Sequence, residues 1–456
     1  MIATGLALWA TSPITVPDDV RAAALRHLLD GVGTAIGGVR SGTAQPAVDV
    51  AIGLGGPGEA TVLGTATRVS APAAALANGT LVHALDFDDT HAGGLVHATA
   101  VVLPAAFAVG QQVGASGRQV LEAAVVGYEA VTRIASAAPH GFHARGLHAT
   151  AVAGVFSSAL VAARLCGLDA ATAAHALGIA GSQAGGLLAF LGTGATTKQL
   201  HPGLASQSGI IAARLAAAGA TGPEWVFEGR NGLYEALATG EVDTTVVLAG
   251  LGETWETTRI GIKPYPACQL SHATLDAVRD ARAIRGFTAD EVVSIDAVVH
   301  PDSAPTVCPD DRDLAHPSSG YAAKFSLPWS VAALVVDGEL GVAQFEPDSV
   351  ARPDVADLAT RVHWTLAGTG HAADAPGSVR VTLSDGTVVE GAVERSAGGP
   401  SDPLTDDQLV AKFNGNAGPG ADQVVELVRA LDALDSLEPL LDAIAAVPPS
   451  PTGAPA

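Results

Sequence analysis

The stretch RIGIKPYPACQLSH, residues 259–272, divides the chain into two parts of different character. Before it, small and apolar residues recur at helical spacing, and strand and helix patterns do not alternate. After it come the β-branched runs VVSIDAVVH at 292–300 and GSVRVTLSDGTVVEGAVER at 377–395, the second with a hairpin signal, SDG, between alternating strands. The sequence therefore predicts a mainly α protein, with a large all-helical domain and a smaller α+β domain. Elements are predicted in both parts: helices at 18–36, 70–90, 98–113, 149–166, 169–190, 203–219, 231–239, 271–285, 320–338 and 353–366, and a further strand at 341–347.

The chain has 456 residues, which is more than the roughly 250–300 that one hydrophobic core usually serves. We place the all-helical domain at residues 1–266 and the α+β domain at 267–399. A helical segment at 400–445 is predicted to return to the first domain. Residues 446–456, rich in proline and small residues, are predicted to form a disordered tail.

Composition limits the classes of function. Hydrophobic residues make up 48% of the chain and charged residues 15%, against a typical charged share of about 25%, so a large packed core is expected. The net charge of −22 argues against binding nucleic acid or an anionic membrane through a basic surface. The three cysteines are too far apart for a disulfide framework or a metal knuckle. The N-terminus has no basic region before its short apolar run, so we expect a cytoplasmic protein without a membrane anchor.

Lysine is scarce, and its placement is informative. Only four of the 24 basic residues are lysines: Lys198, Lys263, Lys324 and Lys412. Genomic base composition explains this ratio, but it does not explain why lysines remain in TTKQLHPG and GIKPYPAC. Lysine carries a compact charge whose pKa shifts on burial, which suits carboxylate binding or proton transfer.

The segment 78–104, NGTLVHALDFDDTHAGGLVHATAVVLP, is the first candidate site. On a helix, His83, Asp86 and Thr90 would share one face, which is costly to bury unless its groups are paired or used. His97 follows a glycine-containing loop and precedes an apolar helix. Three alternatives remain open: a solvated acidic turn, a site for a hard cation, and a phosphotransferase signature, DxDxT. The last requires a preceding buried strand, whereas LANGTLVHAL is typical of a helix.

Two more segments place basic or imidazole side chains beside predicted helix starts. His148 precedes a helix in HARGLHATAVAG, and Lys198 and His201 precede another in TTKQLHPGLASQSG. Helix N-termini favour anions, so His97, His148 and Lys198 together could hold a substrate with several carboxylates. A neutral histidine there is also a suitable proton acceptor. Each residue alone is more often an ordinary cap-region residue.

The junction segment 259–272 is the fourth candidate. Lys263 and His272 flank a rigid Pro-Tyr-Pro, and Cys268 lies between them. A structural hinge would explain the pattern, but active sites commonly lie between domains, which favours a functional Lys263. No neighbouring base pattern marks Cys268 as a nucleophile.

Six motifs follow one another along the chain: NGTLVHALDFDDTH, GLHATAVAG, TTKQLHPG, KPYPACQLSH, AAKFSLPWSVA and LTDDQLVAKFNGNA. In this order they resemble the MmgE/PrpD family, which includes 2-methylcitrate dehydratase, cis-aconitate decarboxylase and iminodisuccinate epimerase. The resemblance covers residues 5–445, nearly the whole chain. It implies a large helical domain with a smaller α+β lid, a homodimer, and chemistry at C–H bonds next to carboxylates without metal or organic cofactor.

The resemblance also suggests the site. We predict four catalytic residues, His148, His97, Asp86 and Lys198, and no metal ligand. The predicted substrate-binding residues are Thr90, Lys263, His201, Cys268 and His272. Cys268 departs from the aconitate decarboxylases, which have a histidine there, so this difference counts against decarboxylation.

The expected function is that of a cofactor-independent lyase acting on a small polycarboxylate, with a 2-methylcitrate dehydratase-like reaction first. An iminodisuccinate-type epimerase and a cis-aconitate decarboxylase share the same carbanion-like intermediate and remain alternatives. A non-catalytic binding protein is the alternative from a different class.

Overall fold

The computed structural model describes residues 1–447, which form two compact units. The larger unit comprises Met1–Leu188, Thr197–Ile262 and the described residues from 405 to 447, and helices dominate it. The mainly α class with a smaller α+β part is confirmed. Residues 448–456 of the predicted tail lie outside the described residues. The first helices of this unit are α1 (Ile2–Thr11), α2 (Asp18–Ser41), α3 (Gln45–Leu54), α4 (Ala71–His83), α5 (Ala98–Val113), α6 (Gly117–Ser136), α7 (Gly141–Ala144), α8 (Ala149–Leu165), α9 (Ala170–Ala180), α10 (Thr197–Ala217) and α11 (Leu233–Leu237).

Local sequence sets the helix limits. Helix α4 begins after Ser70 with a proline in its first turn, where the missing N–H is not needed. Its end, however, comes at His83, so the helix predicted over 70–90 is too long. The prediction for α10 is wrong in the opposite sense, because that helix begins at Thr197 and not at residue 203.

Glycines allow α10 to lie very close to α4 and α8. A Cβ atom on Gly203 would lie 2.2 Å from the Leu76 carbonyl oxygen, and one on Gly79 would lie 2.7 Å from the Gly203 Cα. A Cβ on Gly209 would lie 2.5 Å from the Val155 carbonyl oxygen. The middle of α4 and the second turn of α10 therefore approach each other backbone to backbone.

The larger unit also contains two short antiparallel pairs that the sequence did not indicate. Strand β1 (Ala60–Thr61) pairs with β2 (Arg68–Val69), and β3 (Thr90–His91) pairs with β4 (Ile260–Gly261). Two-residue strands carry no periodicity for a sequence pattern to detect. The second pair fixes Thr90 at the end of the DFDDT segment.

The smaller unit comprises Ala189–Thr196 and Lys263–Leu404. Its sheet has the order β6-β5-β7-β8; β5 and β6 are parallel, the other pairs are antiparallel, and α12 packs on β7 and β8. The unit's elements are α12 (His272–Ile284), β5 (Val292–Val299), α13 (Ala304–Val307), α14 (Gly320–Ala323), α15 (Leu327–Asp337), α16 (Pro347–Val350), α17 (Pro353–Ala359), β6 (Val362–Leu366), β7 (Gly377–Leu383) and β8 (Val388–Val393).

Two element predictions in this unit have the wrong secondary structure, and the helix predicted at 320–338 is in fact two helices, α14 and α15. The strand at 341–347 is a 3₁₀ turn, Val342–Phe345, because the Gln344 side chain accepts from the Gly341 amide and closes the turn. The helix at 353–366 ends at Ala359 and is followed by strand β6, because the run VHWTL pairs with β5.

The chain then returns to the larger unit through α18 (Asp406–Ala417), α19 (Asp422–Arg429) and α20 (Glu438–Ala445). Helices α18 and α19 pack against α2. The contact boundaries fall after Ile262 and after Leu404, and the eight residues Ala189–Thr196 group with the smaller unit.

Among the described residues, no helix combines the length and the apolar character that crossing a bilayer requires.

Candidate active site

The DFDDT segment leaves helix α4 through a turn at Asp86. The Asp86 amide donates to the His83 carbonyl oxygen over 3.1 Å, and Asp86 has a φ of 49°, a left-handed conformation that aspartate tolerates better than most residues. The predicted helical face of His83, Asp86 and Thr90 is therefore wrong, since only His83 is helical. The turn nevertheless keeps all three side chains buried.

A buried ion pair joins this turn to α10. The Lys198 Nζ atom donates to Asp86 Oδ2 over 2.8 Å, and both side chains are buried. The side-chain Nε2 atom of the neighbouring Gln199 donates to the Ala84 carbonyl oxygen over 2.8 Å, which anchors the same helical turn. Lys198 and His201 therefore lie inside α10, not before it as predicted.

Three buried imidazoles, those of His83, His97 and His148, lie beside this pair. Their ring centroids are 4.6 Å apart for His83 and His97, and 5.7 Å apart for the other two combinations. We call these three rings the imidazole cluster. His97 and His148 stand directly before the first residues of α5 and α8, at the helix N-termini where the sequence placed them.

His97 is oriented by its hydrogen bonds. Its Nδ1 atom donates to the Asp89 carbonyl oxygen over 2.9 Å, and the Thr90 hydroxyl lies 3.2 Å from the same nitrogen. Because a carbonyl oxygen can only accept, the proton of a neutral His97 is on Nδ1, and Nε2 carries the lone pair. The His97 amide donates to the Thr150 hydroxyl over 3.0 Å.

His148 is a neutral imidazole in this setting. Burial, and next the positive charge of Lys198, hold its pKa well below the usual 6.5. Its Nδ1 atom lies 3.1 Å from Nδ1 of His201, whose pKa burial lowers to about 4. At neutral pH both rings are therefore uncharged, and His148 can accept a proton.

A second buried layer supports the DFDDT segment. Asp89 accepts hydrogen bonds from the Thr99 amide, over 2.9 Å, and from the Thr99 hydroxyl. Burial raises the pKa of Asp89 to about 8 despite these bonds. Lys412 of α18 donates to the Phe87 carbonyl oxygen over 2.7 Å and pairs with Asp30 over 2.6 Å.

The predicted site residues did not include Asp88, Asp89 or Lys412. The acidic run DFDDT was the available signal for the two aspartates, but the pattern could not show that each has a different partner. Lys412 stood out only as one of four lysines, because its contacts join segments far apart in the chain.

Lys263, Cys268 and His272 belong to the smaller unit, where all three are buried. The Cys268 amide donates to the Lys324 carbonyl oxygen over 3.0 Å. His272 begins α12, and its Nε2 atom lies 3.1 Å from the Ala267 carbonyl oxygen. The larger unit brings together the other six predicted site residues, which are Asp86, Thr90, His97, His148, Lys198 and His201.

The donor atoms in the larger unit are close enough to admit a metal ion. One nitrogen from each ring of the imidazole cluster lies within 4.8 Å of the others, and so do donor atoms of His83, Asp86, Asp88 and His97. In the second set, Asp86 already accepts from Lys198, and both Asp88 oxygens lie 2.9 Å from His83 Nδ1. A metal there would have to replace these bonds. The absence of a metal from the reaction stays a prediction.

Comparison with known proteins agrees with this architecture. The model of the MmgE/PrpD N-terminal domain matches residues 8–245, and that of the C-terminal domain matches residues 265–434. A cis-aconitate decarboxylase of Aspergillus terreus is 29% identical over 467 aligned residues, which cover 95% of this chain and 94% of that protein. The cis-aconitate decarboxylases of Mus musculus and Homo sapiens are 29% and 28% identical over 75% of this chain, covering 71% and 72% of their own lengths. These matches span both units, and they establish that the chain belongs to the MmgE/PrpD family.

Proposed function

We propose that this protein is a lyase that removes a proton next to a carboxylate of a small polycarboxylate, in a dehydration like that of 2-methylcitrate. The observation that carries the proposal is the buried Lys198–Asp86 pair beside imidazoles that are neutral at physiological pH. It supplies a fixed cation for the substrate and an uncharged base for its C–H bond in one buried place.

The substrate's carboxylates have suitable partners in the larger unit. Lys198 offers a positive charge, and the N-termini of α5 and α8 offer amide N–H groups and a positive dipole end. Five further roles in substrate binding stay predictions, those of Lys263, Thr90, His201, Cys268 and His272.

The proposed reaction begins at His148 or His97. The ring accepts the proton from the carbon next to a carboxylate, and the electron pair of the broken C–H bond spreads into that carboxylate. Lys198 and the helix N-termini stabilise the growing negative charge. The β-hydroxyl group then leaves as water, taking up the proton that the ring has just accepted, and the alkene remains.

Decarboxylation of cis-aconitate is the second candidate, because the relatives compared above bear that activity in their names. That reaction breaks the C–C bond to a carboxylate, releases CO2, and adds a proton to the remaining carbanion. It therefore needs a proton donor, for which a resting His148 of lowered pKa is poorly suited. Cys268 in place of the decarboxylases' histidine also favours dehydration.

Proton NMR in D2O separates these reactions. The purified protein is incubated with 2-methylcitrate, citrate, cis-aconitate and iminodisuccinate in turn. A new vinyl signal from either citrate supports dehydration, and itaconate from cis-aconitate supports the second candidate. Loss of the α-proton signal without a new alkene would indicate epimerisation. No change with any of the four acids would contradict the proposal and favour a non-catalytic binding protein.

Three further expectations belong to the same proposal: no metal or organic cofactor, a homodimer, and a cytoplasmic location. Activity should survive dialysis against EDTA, and light scattering after size-exclusion chromatography should give about twice the chain mass of 45.3 kDa. Loss of activity in EDTA that zinc or magnesium restores would contradict the first expectation. A monomer mass would contradict the second.

A further inference from the structure

The pair formed by His83 and Asp88 has no role in the mechanism above. His83 is the last residue of α4 and is fully buried, as is Asp88. Its Nδ1 atom lies 2.9 Å from each Asp88 carboxylate oxygen. Because the carboxylate accepts, the proton is on Nδ1, and Nε2 carries a lone pair. Nε2 is buried and has no hydrogen-bond partner among the described residues.

A buried acceptor without a partner is costly, and such groups are rare unless they serve a purpose. The His83 ring stacks on that of His148 at an interplanar angle of 23° and lies against His97. Asp88 Oδ2 is also 3.8 Å from Nδ1 of His97. The Asp88 carboxylate therefore bonds to His83 and lies within ion-pair distance of His97. The other charged and titratable groups around the cluster are Asp86, Asp89, His143, Lys198 and His201.

We propose that the Asp88–His83 pair is a positioning pair for proton transfer at His97 and His148. This inference rests on the proposed function. When the substrate C–H bond breaks, its electron pair stays on the substrate and its proton forms a new N–H bond on His97 or His148. The negative charge of Asp88 stabilises the resulting imidazolium. His83 holds the Asp88 carboxylate in place through its Nδ1–H and directs the lone pair on its Nε2 atom into the imidazole cluster.

A helix-end contact of purely structural value is the competing explanation. The chain contains a matched pair for comparison: His27 and Asp89 are equally buried, with Nδ1 of His27 3.4 Å from Asp89 Oδ2. The His27 ring lies against Tyr128, 5.6 Å between centroids, and not against the cluster. A structural role predicts similar effects from both pairs, whereas the proposal predicts an effect on catalysis from only one.

The first test compares Asp88→Asn, Asp88→Glu, His83→Gln and His27→Gln with the active acid of the panel. We expect Asp88→Asn to lower kcat about 100-fold with little change in KM, because proton transfer weakens and substrate binding does not. The acid limb of kcat/KM should move to lower pH, since the imidazolium loses its counter-charge. Asp88→Glu should return the acid limb to its wild-type pH. His27→Gln should lower the melting temperature but leave the acid limb at its wild-type pH. Unchanged limbs in both Asp88→Asn and His83→Gln would overturn the proposal.

The second test needs no substrate, so it separates this inference from the proposed function. In protein labelled with ¹⁵N-histidine, the wild-type His83 signal should show the Nδ1–H tautomer. Asp88→Asn should lower the titration midpoints of the His97 and His148 signals, and His83→Gln takes its place if Asp88→Asn does not fold. His27→Gln should leave both midpoints unchanged. If no acid of the panel reacts, the proposed function fails, but these midpoints still test whether the Asp88–His83 pair acts on the two rings. Midpoints that do not move in any variant would overturn the positioning role.

Discussion

At the scale of single residues, His148 is the side chain on which the proposed chemistry depends most. Replacing it with glutamine, His148→Gln, removes the proton acceptor but keeps a polar group that can bond to His201. We expect activity to fall by at least about 100-fold, the usual contribution of a general base, while stability changes by about 1 kcal/mol. Steady-state rates and urea unfolding measure the two effects.

The control for this variant is His316→Gln, because His316 is exposed and pairs only with Asp313 of its own turn among the contacts described. Its activity should equal that of the wild type. Near wild-type activity in His148→Gln would refute the assignment of His148 as the base.

The Asp86–Lys198 pair allows a second prediction at this scale. Asp86→Asn leaves a buried ammonium without its carboxylate counter-charge, so we expect the free energy of unfolding to fall by about 3 kcal/mol. The pair Arg380–Glu390 has the same separation, 2.8 Å, but is 62% and 66% exposed. Glu390→Gln should therefore cost less than about 1 kcal/mol.

A double variant tests the origin of that cost. If the unpaired charge causes it, Asp86→Asn combined with Lys198→Met should be less destabilised than the sum of the single variants. Strict additivity would show that the ion pair is not the source.

At the scale of elements, the contact between α4 and α10 sets the position of Lys198. Gly203→Ala would place a methyl group 2.2 Å from the Leu76 carbonyl oxygen, and backbone cannot move aside as a flexible side chain can. We expect a loss of about 1–3 kcal/mol of stability and a reduced kcat, because α10 must shift away from Asp86. Urea unfolding and rate measurements together test this.

Gly53→Ala provides the matched control. Gly53 lies inside α3, and a Cβ atom there meets no atom within 4 Å. This variant should gain about 0.5–1 kcal/mol from helix propensity and keep its activity. Equal losses in both variants would contradict the close-contact explanation.

The extent of sequence-based prediction can be judged from these same elements. Helical spacing and capping signals identified α4, α5 and α8, so His97 and His148 were placed correctly at helix starts. Spacing could not show that the chain turns into a left-handed conformation at Asp86, because a single residue's φ leaves no periodic trace. The helical-face argument was thus wrong, although the residues it chose are buried together.

Side-chain partnerships were the other limit. The His83–Asp88 pair depends on the direction of a side chain after a turn, and the Lys412–Asp30 pair joins residues 382 positions apart in the sequence. No spacing rule predicts either contact. The resemblance to a family grouped candidate residues from segments far apart in the chain, which periodicity cannot do. It did not describe their hydrogen bonds, from which the neutral state and orientation of the imidazoles follow.

At the scale of the whole molecule, buried histidines should make the folded protein sensitive to mild acid. Burial lowers the pKa of His27 and His201 to about 4 and that of His143 to about 3, and holds that of His148 well below 6.5. These rings bind fewer protons in the folded state than in the unfolded state. The free energy of unfolding is therefore not reduced by these rings above about pH 6.5, and it declines as the pH falls toward 4, because the unfolded state then binds the additional protons.

Asp89 acts in the opposite direction. Burial raises its pKa to about 8, so the folded state binds one proton that the unfolded state releases above about pH 4, and acid favours folding at this group. Burial also raises the pKa of Asp276, which acts in the same direction. Four histidines outweigh these two aspartates, and the net free energy of unfolding should fall between pH 6.5 and 4.5. Carboxylates with ordinary pKa values are ionised equally in both states and do not contribute.

Urea unfolding at pH 7.0, 6.0, 5.0 and 4.5 measures this decline, and the variant His143→Gln identifies its source. The Nδ1 atom of His143 is buried without a hydrogen-bond partner in the described part of the chain, so replacing the ring breaks no bond there. Removing this titrating group should reduce the slope of the free energy of unfolding against pH by about 1.4 kcal/mol per pH unit, which corresponds to about one proton. The reduction applies where the ring is protonated in the unfolded state only. A free energy of unfolding that is flat or rising from pH 7.0 to 5.0 would show that these imidazoles are hydrated or paired in solution. The neutral base at His148 would then lose its physical basis, since the same burial that destabilises the protein in acid keeps that ring uncharged.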